Sequence, residues 1–343
     1  LFPDEVFTNS GLTGRQMQDK AKNMLYDWFV TFRKEGFTEW NSSPYLPIDT
    51  LGFGSLYAFA QDPAMRELGR EGMDFAYYLL AVHSQQGIFA SSSGRTYIKE
   101  QFGNWSNCPS GLSWIGYGYG VPGHAGKGIT SYCLSDYEPP KEFAQWFSIP
   151  RGKEMICQTT QGNDGYVDLY TYKTADYMMT SANDFHPGEP GHQENPFQLT
   201  FNAVAQLWVT HPGERVLFGA ARPSYWAGNG TLPKVNQYKA FAGLIYDIAP
   251  EHPVDFTHLY LPSMEFDRCE VEGKWAFVQL GSAYAAVYCS NGMRMQDFGS
   301  NKDRECIAEG RRCIWLVRAA QADEFAAFED FKAAMRGAAL DAD

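Results

Sequence analysis

The heptapeptide Tyr166-Val167-Asp168-Leu169-Tyr170-Thr171-Tyr172 alternates strictly, with Tyr166, Asp168, Tyr170 and Tyr172 on one side and Val167, Leu169 and Thr171 on the other. A period of two is the pattern of a strand, whose successive side chains leave opposite faces. Strand-like runs follow at 204–210, 239–246, 275–280, 284–290 and 313–318, separated by Gly, Pro and Asn. Many short, punctuated strands predict an antiparallel β-sandwich rather than a parallel sheet.

Upstream of Lys153 the period is that of helices. Thr13-Gly14-Arg15-Gln16 fits a capping box, and Met17, Ala21, Met24, Leu25, Trp28, Phe29 and Phe32 recur at helical spacing up to Gly36. Asp62-Pro63 supplies an N-cap and first helical residue for a second helix whose stripe runs through Met65, Leu68, Gly72, Ala76, Leu79 and His83. Residues 49–60 read as a shorter helix with Leu56 and Phe59 inward. Mutual packing of these helices predicts burial of Met17, Met24, Leu25, Leu68 and Leu79. Residues 102–137 lose periodicity in favour of Gly and aromatics, including Trp105, Trp114, Tyr117 and Tyr119, a long connection of the kind that carries function. Pro139-Pro140 closes it. Phe325, Phe328 and Phe331 restore helical spacing near the C-terminus. The expected fold class is α+β: helical hairpins over 1–138, an antiparallel β-sandwich over 139–322 and a C-terminal helix over 323–343.

At 343 residues, 44% of them hydrophobic, the chain can bury a large core without metals or crosslinks. No apolar run approaches the ~18 residues a membrane span needs, so no membrane partner is expected. Leu1-Phe2-Pro3 reads as a processed end. A net charge of -12 argues against nucleic acid as partner, and a polyanionic substrate would require a local basic pocket. The seven cysteines show no CxxC spacing. Sequons at Asn41, Asn104 and Asn229 predict surface loops if the chain passes through a secretory pathway. There is no P-loop around Gly126-Lys127, no GxSxG elbow and no HExxH.

Four segments carry candidate chemistry. Glu39-Trp40-Asn41-Ser42-Ser43-Pro44-Tyr45 gathers a carboxylate, an indole, an amide and a phenol on one loop, the set used to stack on pyranose rings and hold their hydroxyls, or else a capped connector whose rings pack. In Gly94-Arg95-Thr96-Tyr97, Arg95 and Tyr97 at i, i+2 would project to one side of an extended segment, with His83 upstream as a partner or as a core residue. The polar loop 183–194 holds His186 and His192, whose spacing matches no established metal site; no metal and no cofactor are expected. Arg222-Pro223-Ser224-Tyr225-Trp226 is an aromatic loop fit to cover a groove or to pack on the sheet edge.

The helix-loop-helix bearing residues 39–49, the Gly94-Arg95-Thr96-Tyr97 segment and the trailing β-region resemble the heparinase II/III-like and alginate-lyase-like polysaccharide lyases. That resemblance implies part of an α/α toroid joined to a β-sandwich, a cleft between them, a secreted or periplasmic protein, and a poly- or oligosaccharide substrate. A complete toroid has about a dozen helices of ordinary length, so either a further N-terminal portion or a partner chain completes it, or the helical part is an incomplete arc. The adjacent Asn-His pair common in the family is absent. β-Elimination at a uronate needs carboxylate neutralisation, assigned to Asn41 and Arg95, and proton transfer, assigned to Tyr97 with His83. Glu39, Trp40, Tyr45, Trp114, His192, Tyr225 and Trp226 are the expected sugar contacts. The alternatives are a glycoside hydrolase using Glu39 with Asp49 or Glu194, and a carbohydrate-binding protein without chemistry.

Overall fold

The computed structural model describes residues 2–102, 107–120, 122, 127–162, 167–217 and 219–338. Asn104, Trp105 and Tyr166, singled out above, lie outside them. The chain is α+β, with helices in the N-terminal half followed by antiparallel sheets.

Helix α1 spans Gly14–Glu35. Its start is the capping box read from the sequence: Thr13 Oγ1 accepts from the Gln16 N–H, and Gln16 Oε1 accepts from the Thr13 N–H. Helices α2 (Leu46–Phe59) and α3 (Pro63–Val82) form an antiparallel pair. They approach closely at Gly69, where a Cβ would stand 2.5 Å from the Tyr57 nitrogen. The stripe from Met65 to His83 on α3 is buried as expected, and so are Leu68 and Leu79. Met17 and Met24 are not: they are 41% and 62% exposed, Leu25 is half-buried, and Phe59 is exposed. Only Phe29 and Phe32 of α1 are buried; Leu25 packs partly and Lys22 pairs with Asp62, while the first turn is flanked by Pro3, Glu5 and Ser10, which leave Met17 and Met24 open.

The larger sheet runs in the order Arg294–Met295, Glu305–Glu309, Phe256–Tyr260, Gln206–Thr210, Phe197–Thr200, Met178–Asn183, Val167–Lys173, Met155–Gln161, and the smaller in the order Lys234–Tyr238, Phe241–Asp247, Arg312–Gln321, Ala283–Cys289, Trp275–Leu280, Arg268–Glu272. Every pairing is antiparallel. One hydrophobic cluster draws on both sheets, with Tyr170, Tyr172, Leu199 and Leu207 from the first and Leu244, Val278, Val287 and Trp315 from the second, a sandwich-like arrangement. The C-terminal helix Phe328–Arg336 buries Phe328 and Phe331 against Phe277 and Tyr284 of the smaller sheet.

The larger sheet's other face meets the helical half, and there buried polar residues stand among apolar ones such as Val167, Leu169 and Ala182. Lys173, fully buried, donates through Nζ to the carbonyls of Ala81, Ser84 and Trp146. Thr171 pairs with His83 Nδ1 at 3.0 Å, Thr180 accepts from the Ser92 N–H at 2.8 Å, and Thr200 donates to the Ala90 carbonyl at 3.0 Å. The strand alternation therefore separates an aromatic face for the shared core from a face whose polar residues satisfy the backbone of residues 81–92.

Two expectations fail here. Asn41 and Asn229, the sequon asparagines within the described residues, are buried: Asn229 accepts from the His211 N–H and donates to the Glu194 carbonyl, so neither amide is open to glycosylation in the folded chain. Tyr225 and Trp226 do not line a groove. Tyr225 donates to Glu305 at 2.6 Å, and Trp226 stacks on His258 at 4.2 Å, inside an aromatic cluster with Trp208 and Tyr260.

Replacing Lys173 by Met keeps the stem and leaves three carbonyls without their donor. Urea denaturation of Lys173→Met should show a loss of about 2–4 kcal/mol, against less than about 0.5 kcal/mol for the exposed control Lys141→Met.

Candidate functional site

The site forms where three segments meet. Residues 93–96 run between the 39–42 loop and the 193–195 loop, with a bend at Gly94 and Arg95. Ser93 and Asn195 exchange both backbone hydrogen bonds, the Gly94 N–H donates to the Trp40 carbonyl at 2.7 Å, and the Thr96 N–H donates to the Gln193 carbonyl. Gly94 is required for this approach, since a Cβ there would lie 2.6 Å from Trp40 Nε1. Pinned on both sides, this segment presents Arg95 and Tyr97 together.

Arg95 Nη1 donates to Glu39 Oε1 at 2.8 Å and Nη2 to the Tyr97 oxygen at 3.0 Å. The guanidinium also lies 5.0 Å over the Tyr45 ring. Tyr97 is the acceptor at the centre of the cluster. The hydrogen bond from Arg95 lowers its pKa from the usual 10.0; burial opposes this, while the Arg95 charge, a hydrogen bond from Tyr45 and the Arg222 charge add to it. The Tyr45 phenol, pulled down by Arg95, is left above its ordinary value because the hydrogen bond to Tyr97, the Tyr97 charge and burial outweigh that pull. The two shifts thus run in opposite directions, Tyr97 downward and Tyr45 upward.

Two cavities adjoin this cluster. One of about 270 Å³ lies between Glu39, Trp40 and Arg95 on the helical side and Phe185, His186 and His192 on the sheet side. Another of about 500 Å³ is lined by Tyr97, Lys99, Gln193, Arg222 and Ser224. Gln193 belongs to both.

The residues proposed from sequence distribute unevenly around this cleft. Glu39, Trp40, Arg95 and His192 line the first cavity, Tyr97 lines the second, and Tyr45 touches the Arg95–Tyr97 pair. Trp40 does so from a buried position, edge-on to Phe185. Asn41 sits behind them at a left-handed φ of 47°, accepting from Gln161 Nε2 at 3.0 Å. His83 is not brought to Tyr97. It is enclosed beneath α3 against Thr171, and burial, reinforced by the Lys173 charge, pushes its pKa down to about 3. Trp114 is half-exposed on the helix Ser110–Tyr117 and lines neither cavity.

Asp49 in the first turn of α2 shares a cavity of about 10 Å³ with Glu39 and Asn41. Burial, with the Glu39 charge adding, pushes its carboxyl up to about 7. Among the described residues no cluster of three His, Cys, Asp or Glu side chains suits a metal ion, and no helix is long and apolar enough to cross a membrane. Arg222 and Gln193 were not nominated by sequence reading. The loops that hold them were singled out, but for their aromatic rings and histidines.

Comparison with protein-family models, with curated proteins and with solved structures finds no match for this chain.

Arg95 acts on the cleft through Tyr97, and this is measurable apart from any reaction. In a tyrosinate absorbance titration, the difference between wild type and Tyr97→Phe should report one phenol titrating below 10.0, and in an Arg95→Gln background the same difference should move upward.

Proposed function

We propose that the chain is a uronate polysaccharide lyase, its helices an arc of an α/α toroid and its two sheets a β-sandwich, with substrate in the cleft between them. The observation that carries this reading is the Tyr97 oxygen, which accepts from Arg95 Nη2 at 3.0 Å beside the cavities, with the Arg222 guanidinium 5.5 Å over its ring. A guanidinium donor and a second cation beside one phenol stabilise the phenolate, the form that can remove a proton from carbon. In the reaction, the substrate carboxylate is neutralised by cationic groups of the cleft, which acidifies the C5 proton. The Tyr97 phenolate takes that proton, the C4–C5 double bond forms as the C4–O4 bond breaks, and a proton returns to O4. The exposed His192 at the cavity and the newly protonated Tyr97 are the available donors. Asn41, enclosed behind the loop, shapes the floor of the cleft rather than meeting sugar.

The uncovered apolar face of α1 and α2, with Met24, Trp28, Leu51 and Phe59 exposed, supports a further helical portion or partner chain completing the toroid. A secreted or periplasmic location belongs to the same reading.

One observation favours a second reading, glycoside hydrolysis. Glu39 is held by Arg95, whereas Asp49 beside it is raised to about 7, and a carboxylate with a protonated carboxyl is the pairing hydrolases use.

Products separate the two. On a panel of uronate and neutral polysaccharides the lyase generates an ultraviolet-absorbing unsaturated uronate, and Tyr97→Phe should lower kcat by ~100- to 10,000-fold with little change in KM. A loss under about tenfold makes Tyr97 a packing residue. The pH profiles also diverge: a phenolate base requires kcat to rise with pH up to the Tyr97 titration, whereas an Asp49 acid requires it to fall above about 7. A hydrolase would yield only reducing ends, lost in Glu39→Gln and Asp49→Asn but not in Tyr97→Phe. A chain that binds glycan and generates neither product is a carbohydrate-binding protein.

A further inference from the structure

The sequence nominates Arg95 for the substrate carboxylate, yet the structure leaves it no free donor edge. Nη1 is held by Glu39, Nη2 by Tyr97, and Nε is enclosed without a partner. A planar guanidinium grips a carboxylate with two parallel N–H groups, and Arg95 cannot turn such a pair outward without releasing Tyr97. Lys99, the other cation near Tyr97, is paired with Glu100 at 3.1 Å.

Arg222 is placed differently. Its guanidinium lies 5.5 Å over the Tyr97 ring, on the wall of the 500 Å³ cavity. It is exposed, and among the described residues it makes no ion pair and no hydrogen bond. Beside it, Gln193 is 3% exposed and carries an unmet need. Its Nε2 donates to the Thr96 carbonyl at 2.9 Å, which fixes the orientation of the amide because a carbonyl can only accept. Its Oε1 is then left buried with no donor. A buried acceptor without a donor costs stability, and this one belongs to the side chain that lines both cavities.

We propose that Arg222 and Gln193 form a sugar-acid subsite beside Tyr97, in which Arg222 grips the carboxylate and Gln193 Oε1 accepts a hydroxyl of the same or the adjoining ring. A free cation and an unpartnered acceptor flanking one phenol select a ligand that is anionic and hydroxylated, and thus a uronate over a neutral sugar or a simple anion. As a statement about catalysis this rests on the lyase reading; as a statement about binding it does not.

The test is calorimetric binding of oligomers of galacturonate, mannuronate and glucuronate, each against its carboxyl-reduced neutral counterpart. Wild type should bind at least one uronate oligomer about tenfold or more tighter than its reduced form. Arg222→Gln should abolish that preference while leaving affinity for the reduced oligomer unchanged. Arg222→Lys should restore it in part, keeping the charge but not the fork. Gln193→Met should weaken both oligomers alike. Arg222 is exposed, so its variants leave packing intact. The proposal is overturned if wild type shows no preference, or if Arg222→Gln retains it; an unchanged affinity in Gln193→Met overturns the hydroxyl contact. An Arg222-dependent preference without unsaturated product would sink the lyase reading alone, and elimination that persists with an Arg222-independent preference would sink the subsite alone.

Discussion

The position of every group in the cleft depends on one polar seam, the contact between residues 81–92 and the outer face of the larger sheet. This stretch leaves the end of α3 with carbonyls that no helix satisfies, and a buried carbonyl without a donor costs on the order of 1–3 kcal/mol. Lys173 caps the Ala81 and Ser84 carbonyls at that helix end together with the Trp146 carbonyl from another segment, while Thr180 and Thr200 engage Ser92 and Ala90 further along. A lysine ammonium is suited to the role, since it is three donors on a flexible stem and a cation at a helix C-terminus. Burial drives the Lys173 pKa down to about 7, a cost the fold carries to hold its two halves together. Residues 93–97 continue directly from this seam, so the register set by the threonines fixes where Arg95 and Tyr97 emerge.

Within the cleft, environment assigns different states to chemically similar groups. Of two neighbouring phenols, Tyr97, which accepts from Arg95, is shifted downward from its ordinary pKa, while Tyr45 is shifted upward. Glu39 and Asp49 differ in the same manner: one is held by a guanidinium, the other is desolvated beside a negative neighbour. A chain of net charge -12 therefore contains a small region in which Arg95 and Arg222 flank a single aromatic ring. Local arrangement, and not overall charge, decides what such a cleft attracts.

Legibility in the sequence followed the range of the forces involved. The capping box of Thr13 and Gln16, the Asp62 N-cap and the alternation of residues 167–172 are local and appear as read. Arg95 does meet Tyr97 as the i, i+2 spacing suggests, although the segment bends at Gly94 and Arg95 rather than running extended. Met17 and Met24 show the limit of the method: periodicity marks an apolar stripe without saying what covers it. The sequons at Asn41 and Asn229 mislead for a related reason, since an amide that satisfies buried backbone has the same three-letter signature as one on a surface loop.

By itself the sequence determined the element types, their order and the α+β class, since caps, turns and hydrophobic periods act over a few residues. Tertiary structure alone decided which polar residues meet. Glu39 reaches Arg95 across 56 residues and Gln193 reaches Thr96 across 97, and no local pattern records such distances. It also decided that His83, Tyr225 and Trp226 are interior while Arg222, exposed over the Tyr97 ring, has no ion pair among the described residues. The reason is physical: burial and hydrogen-bond satisfaction belong to the three-dimensional surroundings of a side chain, and residue type constrains those surroundings only weakly.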